Sequence, residues 1–285
     1  MEKKSLMTKK NIMKKKPDEI IFSACIWISV AITFSTLAFL IAHILINGIP
    51  HLTPSLFALS YNSENVSLMP SLITTVLMVG ISLAVAVPFG VFTAIYLVEY
   101  AKRGNRLVRI VRITAETLSG IPSIVYGLFG MLFFVTYLGW GYSLLAGSLT
   151  ISIMILPLIM RTTEESLKSV SDSYREGAFG LGAGRLRTVF RVVLPASAPG
   201  LLAGIILAVG RITGETAALM YTAGTVAKIP ENIFASGRTL AVHMYALSGE
   251  GLHTEQAYAT AVVLLVLVAS INALSAYLAK KIAKV

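Results

Sequence analysis

Charge is scarce in this chain. Charged residues make up 13% of its 285 residues, against roughly 25% in an ordinary soluble domain. No Asp, Glu, Lys or Arg occurs in residues 20–63, 65–98, 117–160, 192–210 or 256–279. A helix needs about 20 apolar residues to cross the hydrocarbon layer of a bilayer. Runs of this length and number exclude a soluble core and predict an all-α polytopic membrane protein.

Other absences narrow the function. Cys25 is the single cysteine, so no disulfide framework exists. His43, His51, His243 and His253 are scattered without metal-ligand spacing, which argues against a bound metal. No nucleophile–base set is visible, so the chain does not read as an enzyme. No Gly-x-x-x-x-Gly-Lys-Ser/Thr occurs, which removes the phosphate-binding loop of ATPases. The chain is therefore expected to bind no cofactor itself.

The charge that is present is uneven. The formal net charge is +10, and lysines 3, 4, 9, 10, 14, 15 and 16 crowd the N-terminal tail. A secretory signal has an apolar region of only about 7–15 residues, whereas the uncharged run here continues from Ile20 to Ile46. The tail, residues 1–19, is thus expected to be cytoplasmic and to precede an uncleaved first helix, with a membrane domain over 20–285.

Six spans are predicted, at about 20–46, 69–100, 113–137, 144–160, 196–220 and 257–279. Arg103, Arg109, Arg112, Arg161, Lys168, Arg185, Arg191 and Lys284 then fall on one side with both termini, and only Lys228 and Arg238 on the other. The positive-inside rule makes the first side cytoplasmic. Basic charge placed this way indicates topology and anionic lipid headgroups, not nucleic acid. Between the last two spans, Leu240, Val242, Met244 and Leu247 are spaced to line a short interfacial helix, either resting on the membrane or docking a partner.

The stretch "EGAFGLGAGRLRTVFRVVLP", residues 176–195, imitates a nucleotide-binding turn. The dinucleotide fingerprint Gly-x-Gly-x-x-Gly fails, since position 185 is Arg and no strand precedes it. A pair of short cytoplasmic helices fits better. Ser173 and Glu176 have capping-box spacing, Gly180, Gly182 and Gly184 permit a sharp turn, and Leu186, Val189, Phe190 and Val193 form an apolar stripe. Pro195 suits the first turn of the following span.

Glu176-Gly-Ala178, Gly182, then Val192-Val-Leu194-Pro195 resemble the coupling loop of ABC importer permeases, with Gly177 in place of an alanine and Val192 in place of an isoleucine. The resemblance implies a type I importer fold, a loop over about 161–195, and an ATPase contact through Glu176, Ala178 and Gly182. ATP and Mg would be bound by that partner, a dimer of ATPase subunits.

"AVGRITGETAALMYTAG", residues 208–224, places Arg211 and Glu215 inside the fifth predicted span. Each ionised group costs about 2.5–3.5 kcal/mol on insertion scales and is usually paired or facing a wet cavity. At i and i+4 the two would share a helix face. Two readings stay open. In one they staple the helix; in the other Arg211 contacts an anion on a translocation path and Glu215 orients it, favouring phosphate over sulfate. Gly200/Gly204 and Gly210/Gly214 have the spacing of close helix contacts.

"GRITGETAAL" and "AETLSGIPSIVYGLFG", residues 115–130, resemble the PstA-type permeases of phosphate importers. The resemblance implies import of inorganic phosphate across the cell membrane. It also implies a second, similar permease as heterodimer partner and an external phosphate-binding protein. The alternatives are an importer for sulfate, molybdate or phosphonate, a phosphate-sensing membrane scaffold, and a secondary transporter or channel.

Overall fold

A computed structural model describes residues 17–102 and 104–282. The lysine-rich tail through residue 16, Arg103 and Lys284 lie outside the described residues. Every regular element described is helical. Among the described residues five helices are long and apolar enough to cross a membrane, and one pair, bent by 102°, reaches that length and apolarity only when its two helices are taken together.

The chain divides into two units, residues 1–46 and 47–285. The first consists of most of α1 (Pro17–Gly48), whose apolar side chains, among them Phe22, Trp27, Phe34 and Phe39, are exposed. In the second, α2 (Met69–Ile95), α5 (Leu144–Ser169) and α8 (Leu194–Thr213) are the central helices, α5 lying against both of the others. Met78, Ile151, Ile155, Ile159 and Ile212 are buried together between them. α11 (Thr254–Ile282) packs on α8 and on α10 (Leu240–Glu250).

The α5–α8 crossing is close because α8 carries glycine where the helices meet. A Cβ at Gly200 or Gly204 would overlap the Ser166 and Thr162 hydroxyls of α5. Dense packing of this kind substitutes for a hydrophobic drive between helices in lipid. Gly210 and Gly214 do not act this way. Gly210 faces open space, and the space beside Gly214 holds only its own backbone.

The third predicted span is not one helix. α3 (Arg106–Ser119) and α4 (Ser123–Gly130), which continues through a π-helical turn at Met131–Tyr137, meet at 102°. Gly120 caps α3 and Pro122 caps α4 in extended conformation. Proline contributes no N–H and keeps its predecessor out of the α region, so the ladder breaks here. The Tyr126 hydroxyl donates to the Leu118 carbonyl at 2.8 Å, across the bend. Asn105 starts α3 earlier than residue 113, its side chain accepting from the Leu107 amide at 2.9 Å. The result is an amphipathic helix bearing Arg106, Arg109 and Arg112, with Leu107, Ile110 and Ile113 exposed.

The fifth span also differs from the expectation. α7 (Arg185–Thr188), a π-helical turn at Val189–Val193 and α8 form one helical run from Arg185 to Thr213. The wide turn precedes Pro195, where the missing amide removes a bond from the α ladder. α8 stops at Thr213 with Gly214 as its cap, and the short α9 (Ala217–Met220) follows. The segment between α1 and α2 is irregular, with short 3-10 turns at Ile49–His51 and Pro54–Phe57. α10 is not a surface helix: Leu240, Val242, His243 and Leu247 are buried, and the Leu240 amide donates to Thr75 Oγ1 of α2 at 2.8 Å.

Candidate functional site

Two places carry chemistry: the loop between α5 and α8, and the cavities around Arg211. The loop begins where α5 ends at Ser169. α6 (Asp172–Gly180) starts one residue before Ser173, with Ser171 at the N-cap, so the Ser173–Glu176 capping box does not form. Ser173 is already helical and its amide points back to Ser171 Oγ at 3.4 Å.

The far end of α6 explains one glycine of the three. The Gly182 amide donates to the Phe179 carbonyl at 2.9 Å and the Ala183 amide to the Ala178 carbonyl at 3.0 Å. Gly182 has φ +80°. This is the paired-bond C-cap in which a left-handed residue satisfies the last carbonyls, and glycine takes that conformation without steric cost. Gly180 and Gly184 have no positive φ.

The surface of the loop is apolar and open. Leu181 is 91% exposed and Leu186 66%, with Tyr174 and Phe179 also outward. The predicted stripe is therefore divided, for Val189 and Val193 turn inward while Leu186 and Phe190 stay exposed. Tyr174, Gly177, Ala178, Leu181, Gly182 and Arg187 line a groove of about 500 Å³. Of the predicted contact residues, Ala178 and Gly182 lie in this groove; Glu176 is exposed on the same helix outside it.

Arg175, which the sequence did not single out, anchors the loop. Its Nη2 donates to Glu99 Oε1 at 2.8 Å, and its Nη1 to the Val170 carbonyl at 2.8 Å. Hydrogen bonding to Glu99 is the main cause that holds the guanidinium pKa above its ordinary value. The two side chains are only 14% and 9% exposed. Glu99 is a lone charge at the end of the second uncharged run, and nothing local in sequence links it to residue 175.

Arg211 lies near the C-terminal end of α8 and borders two cavities. One, of about 560 Å³, lies against α3 and α5 and is lined by Arg112, Glu116, Arg161, Glu164 and Lys168 besides Arg211. The other, of about 520 Å³, is lined by Leu158, Ala203, Leu207, Gly210 and Asn272 with Arg211. The other cations of the first cavity are partnered. Glu164 Oε1 receives Arg112 at 2.7 Å and Lys168 at 2.6 Å, and Glu165 pairs with Arg161 at 3.2 Å. Among the described residues Arg211 has no ion pair.

The helix break separates Arg211 from Glu215. Because α8 ends at Thr213, the i and i+4 positions do not share a helix face, and the ion pair of the stapling reading is not formed. Glu215 Oε1 instead accepts from the Ala218 amide at 3.1 Å at the start of α9. A free guanidinium between two cavities can present its planar fork to an oxyanion. No cluster of metal ligands occurs among the described residues.

Comparison with known proteins agrees with this architecture. Residues 86–284 match the family model of the binding-protein-dependent transport system inner membrane component. The chain is 32% identical over 255 residues to the probable ABC transporter permease protein YqgI of Bacillus subtilis, covering 84% of this chain and 86% of that one. It is 33% identical over 201 residues to the phosphate transport system permease protein PstA 1 of Mycobacterium tuberculosis, covering 70% of this chain and 66% of that one. Its fold is similar to a crystal structure of a bacterial ABC transporter involved in the import of the acidic polysaccharide alginate. The TM-score is 0.65 at 14% identity, over 90% of this chain and 96% of that one. With a helical membrane fold and a family match over most of its length, the chain belongs to the inner-membrane permease components of binding-protein-dependent ABC importers.

Proposed function

We propose that this permease carries inorganic phosphate into the cell, and that Arg211 is the anion contact on its path. The observation that carries this reading is the unpaired Arg211 guanidinium bordering two cavities, while the other cations lining the first, Arg112, Arg161 and Lys168, are each in an ion pair. A charge that served packing alone would be paired, since an unpaired one near membrane depth costs free energy without return. The phosphate permease relatives supply the substrate class.

Glu215 has a different part from the one its spacing implied. Its carboxylate holds the turn that follows Arg211 by accepting from the Ala218 amide in the first turn of α9, and it forms no ion pair with Arg211. A carboxylate near the path also repels sulfate, which carries no proton at neutral pH, and can accept from a protonated phosphate oxygen.

The groove on α6 is the docking surface for an ATPase subunit, with Ala178 and Gly182 inside it and Glu176 at its margin. ATP and Mg belong to that partner. A second, similar permease completes the path, two ATPase copies drive it, and a phosphate-binding protein delivers the ion from outside. Both termini lie in the cytoplasm. The test is ATP-dependent uptake of labelled phosphate by the reconstituted complex, wild type beside Arg211→Gln, with sulfate as competitor. Loss of uptake with assembly intact supports the assignment; normal uptake contradicts it.

A further inference from the structure

We propose that Glu99 and Arg175 form the joint through which movement of α6 reaches the end of α2. The inference rests on the reading of α6 as the ATPase docking helix. It concerns what happens after docking: which span receives the motion.

The guanidinium joins three elements. Nε donates to Glu99 Oε1 at 3.1 Å and Nη2 to the same oxygen at 2.8 Å, so α2's terminal turn is held by two bonds that converge on one oxygen. Nη2 also reaches the Leu167 carbonyl at 2.9 Å and Nη1 the Val170 carbonyl at 2.8 Å, at the end of α5. Nη1 then reaches Asp172 Oδ1 at 3.0 Å, in the first turn of α6. Arginine has five N–H donors in a fixed planar arrangement, and these five contacts use all of them. A side chain held this way cannot swivel independently of any of the three elements.

The position of Glu99 gives the joint its direction. Glu99 lies in the π-helical turn Tyr96–Tyr100 that closes α2, and α2 is packed along α5 in the core. Along its own length α6 packs mainly on α7 and the Val189–Val193 turn, which run on into α8. The carboxylate–guanidinium pair adds a polar link from α6 to a second transmembrane helix, α2, distant in sequence. A flexible tether would not need it. A planar guanidinium held by several charge-assisted bonds fixes orientation as well as distance, which is what transmission of a push requires.

Glu99→Gln and Arg175→Lys each keep a polar side chain of similar size; the first removes the carboxylate charge and the second the guanidinium fork, so they test the ion pair and its geometry more than bulk. Both are placed in the complex of the two permeases, the ATPase and the binding protein, in liposomes. Retention of the ATPase subunit, ATP hydrolysis and labelled phosphate uptake are then measured. The joint predicts complexes that keep the ATPase and hydrolyse ATP, while phosphate carried per ATP falls at least tenfold. The double variant should be no worse than either single one, because the pair acts as a unit.

An unchanged ratio of phosphate to ATP overturns the proposal, whether both rates fall together or neither changes. Failure of both single variants to assemble also overturns it, since the pair would then be a structural tie. Ala178→Arg, made beside them, separates the underlying reading. If that complex loses its ATPase, α6 is the docking helix and the ratio decides the joint on its own. If it keeps the ATPase and couples normally, the docking assignment fails and the joint falls with it.

Discussion

Arg211 and Glu215 stand on opposite sides of a helix break. α8 closes at Thr213, and the Glu215 carboxylate accepts from the Ala218 amide at 3.1 Å as part of the next element. A pair that would neutralise itself on a continuous helix is thereby divided into a free cation and a capping anion. The break makes Arg211 available to an anion.

That division predicts different phenotypes for the two residues. Glu215→Gln keeps an oxygen able to cap α9 and removes the negative charge. The complex should assemble and still import phosphate, but sulfate should begin to compete. Uptake of labelled phosphate against rising sulfate, wild type beside variant, checks this. Glu215→Ala removes the cap as well, which costs about 1 kcal/mol by analogy with other helix caps, and should lower the melting temperature where Glu215→Gln does not.

Gly182 and Gly184 should respond differently to alanine. Gly182 holds φ +80° in the C-cap of α6, whereas Gly184 is extended with open space around it. Forcing alanine into the left-handed region costs about 1 kcal/mol and disturbs the two capping bonds. Gly182→Ala should weaken retention of the ATPase during purification, and Gly184→Ala should leave it unchanged.

His243 makes stability depend on pH. It is fully buried in α10, outside the spans, and burial together with the neighbouring Arg238 charge lowers its pKa from 6.5 to about 3. The unfolded chain takes up a proton near pH 6.5 that the folded chain refuses until about pH 3. Folded stability therefore falls as pH drops through that window, by about 2 kcal/mol at pH 5. The melting temperature of the purified protein should be lower at pH 5 than at pH 7. In His243→Leu the difference should shrink, and an unaltered pH dependence would contradict the assignment.

The membrane architecture was legible in the sequence because uncharged length is a one-dimensional property. Residues 69–100 became α2 and its terminal turn, and the uncharged run after Gln256 became most of α11. The Glu176–Gly182 spacing was legible for a related reason: a helix of fixed pitch ending in a left-handed glycine leaves a local signature. What escaped were breaks and long-range partners. Gly120 and Pro122 were visible as breakers, but both residues are common in membrane helices, and the 102° bend depends on what packs around them. Arg211 and Glu215 had the spacing of a staple, and only the stop at Thr213 cancels it. Gly200/Gly204 and Gly210/Gly214 share one pattern, yet only the first pair meets a neighbouring helix. Glu99 and Arg175 are joined across the fold, and no local pattern could have paired them.

The central claim is that the unpaired Arg211 contacts the transported anion. Its most direct test is ATP-dependent uptake of labelled phosphate by liposomes holding the whole complex, with Arg211→Gln compared to wild type and assembly verified for both. The account predicts that the variant complex assembles, and that its uptake falls at least tenfold while sulfate fails to compete in the wild type. Normal uptake by Arg211→Gln, or inhibition of wild-type uptake by equimolar sulfate, would contradict it.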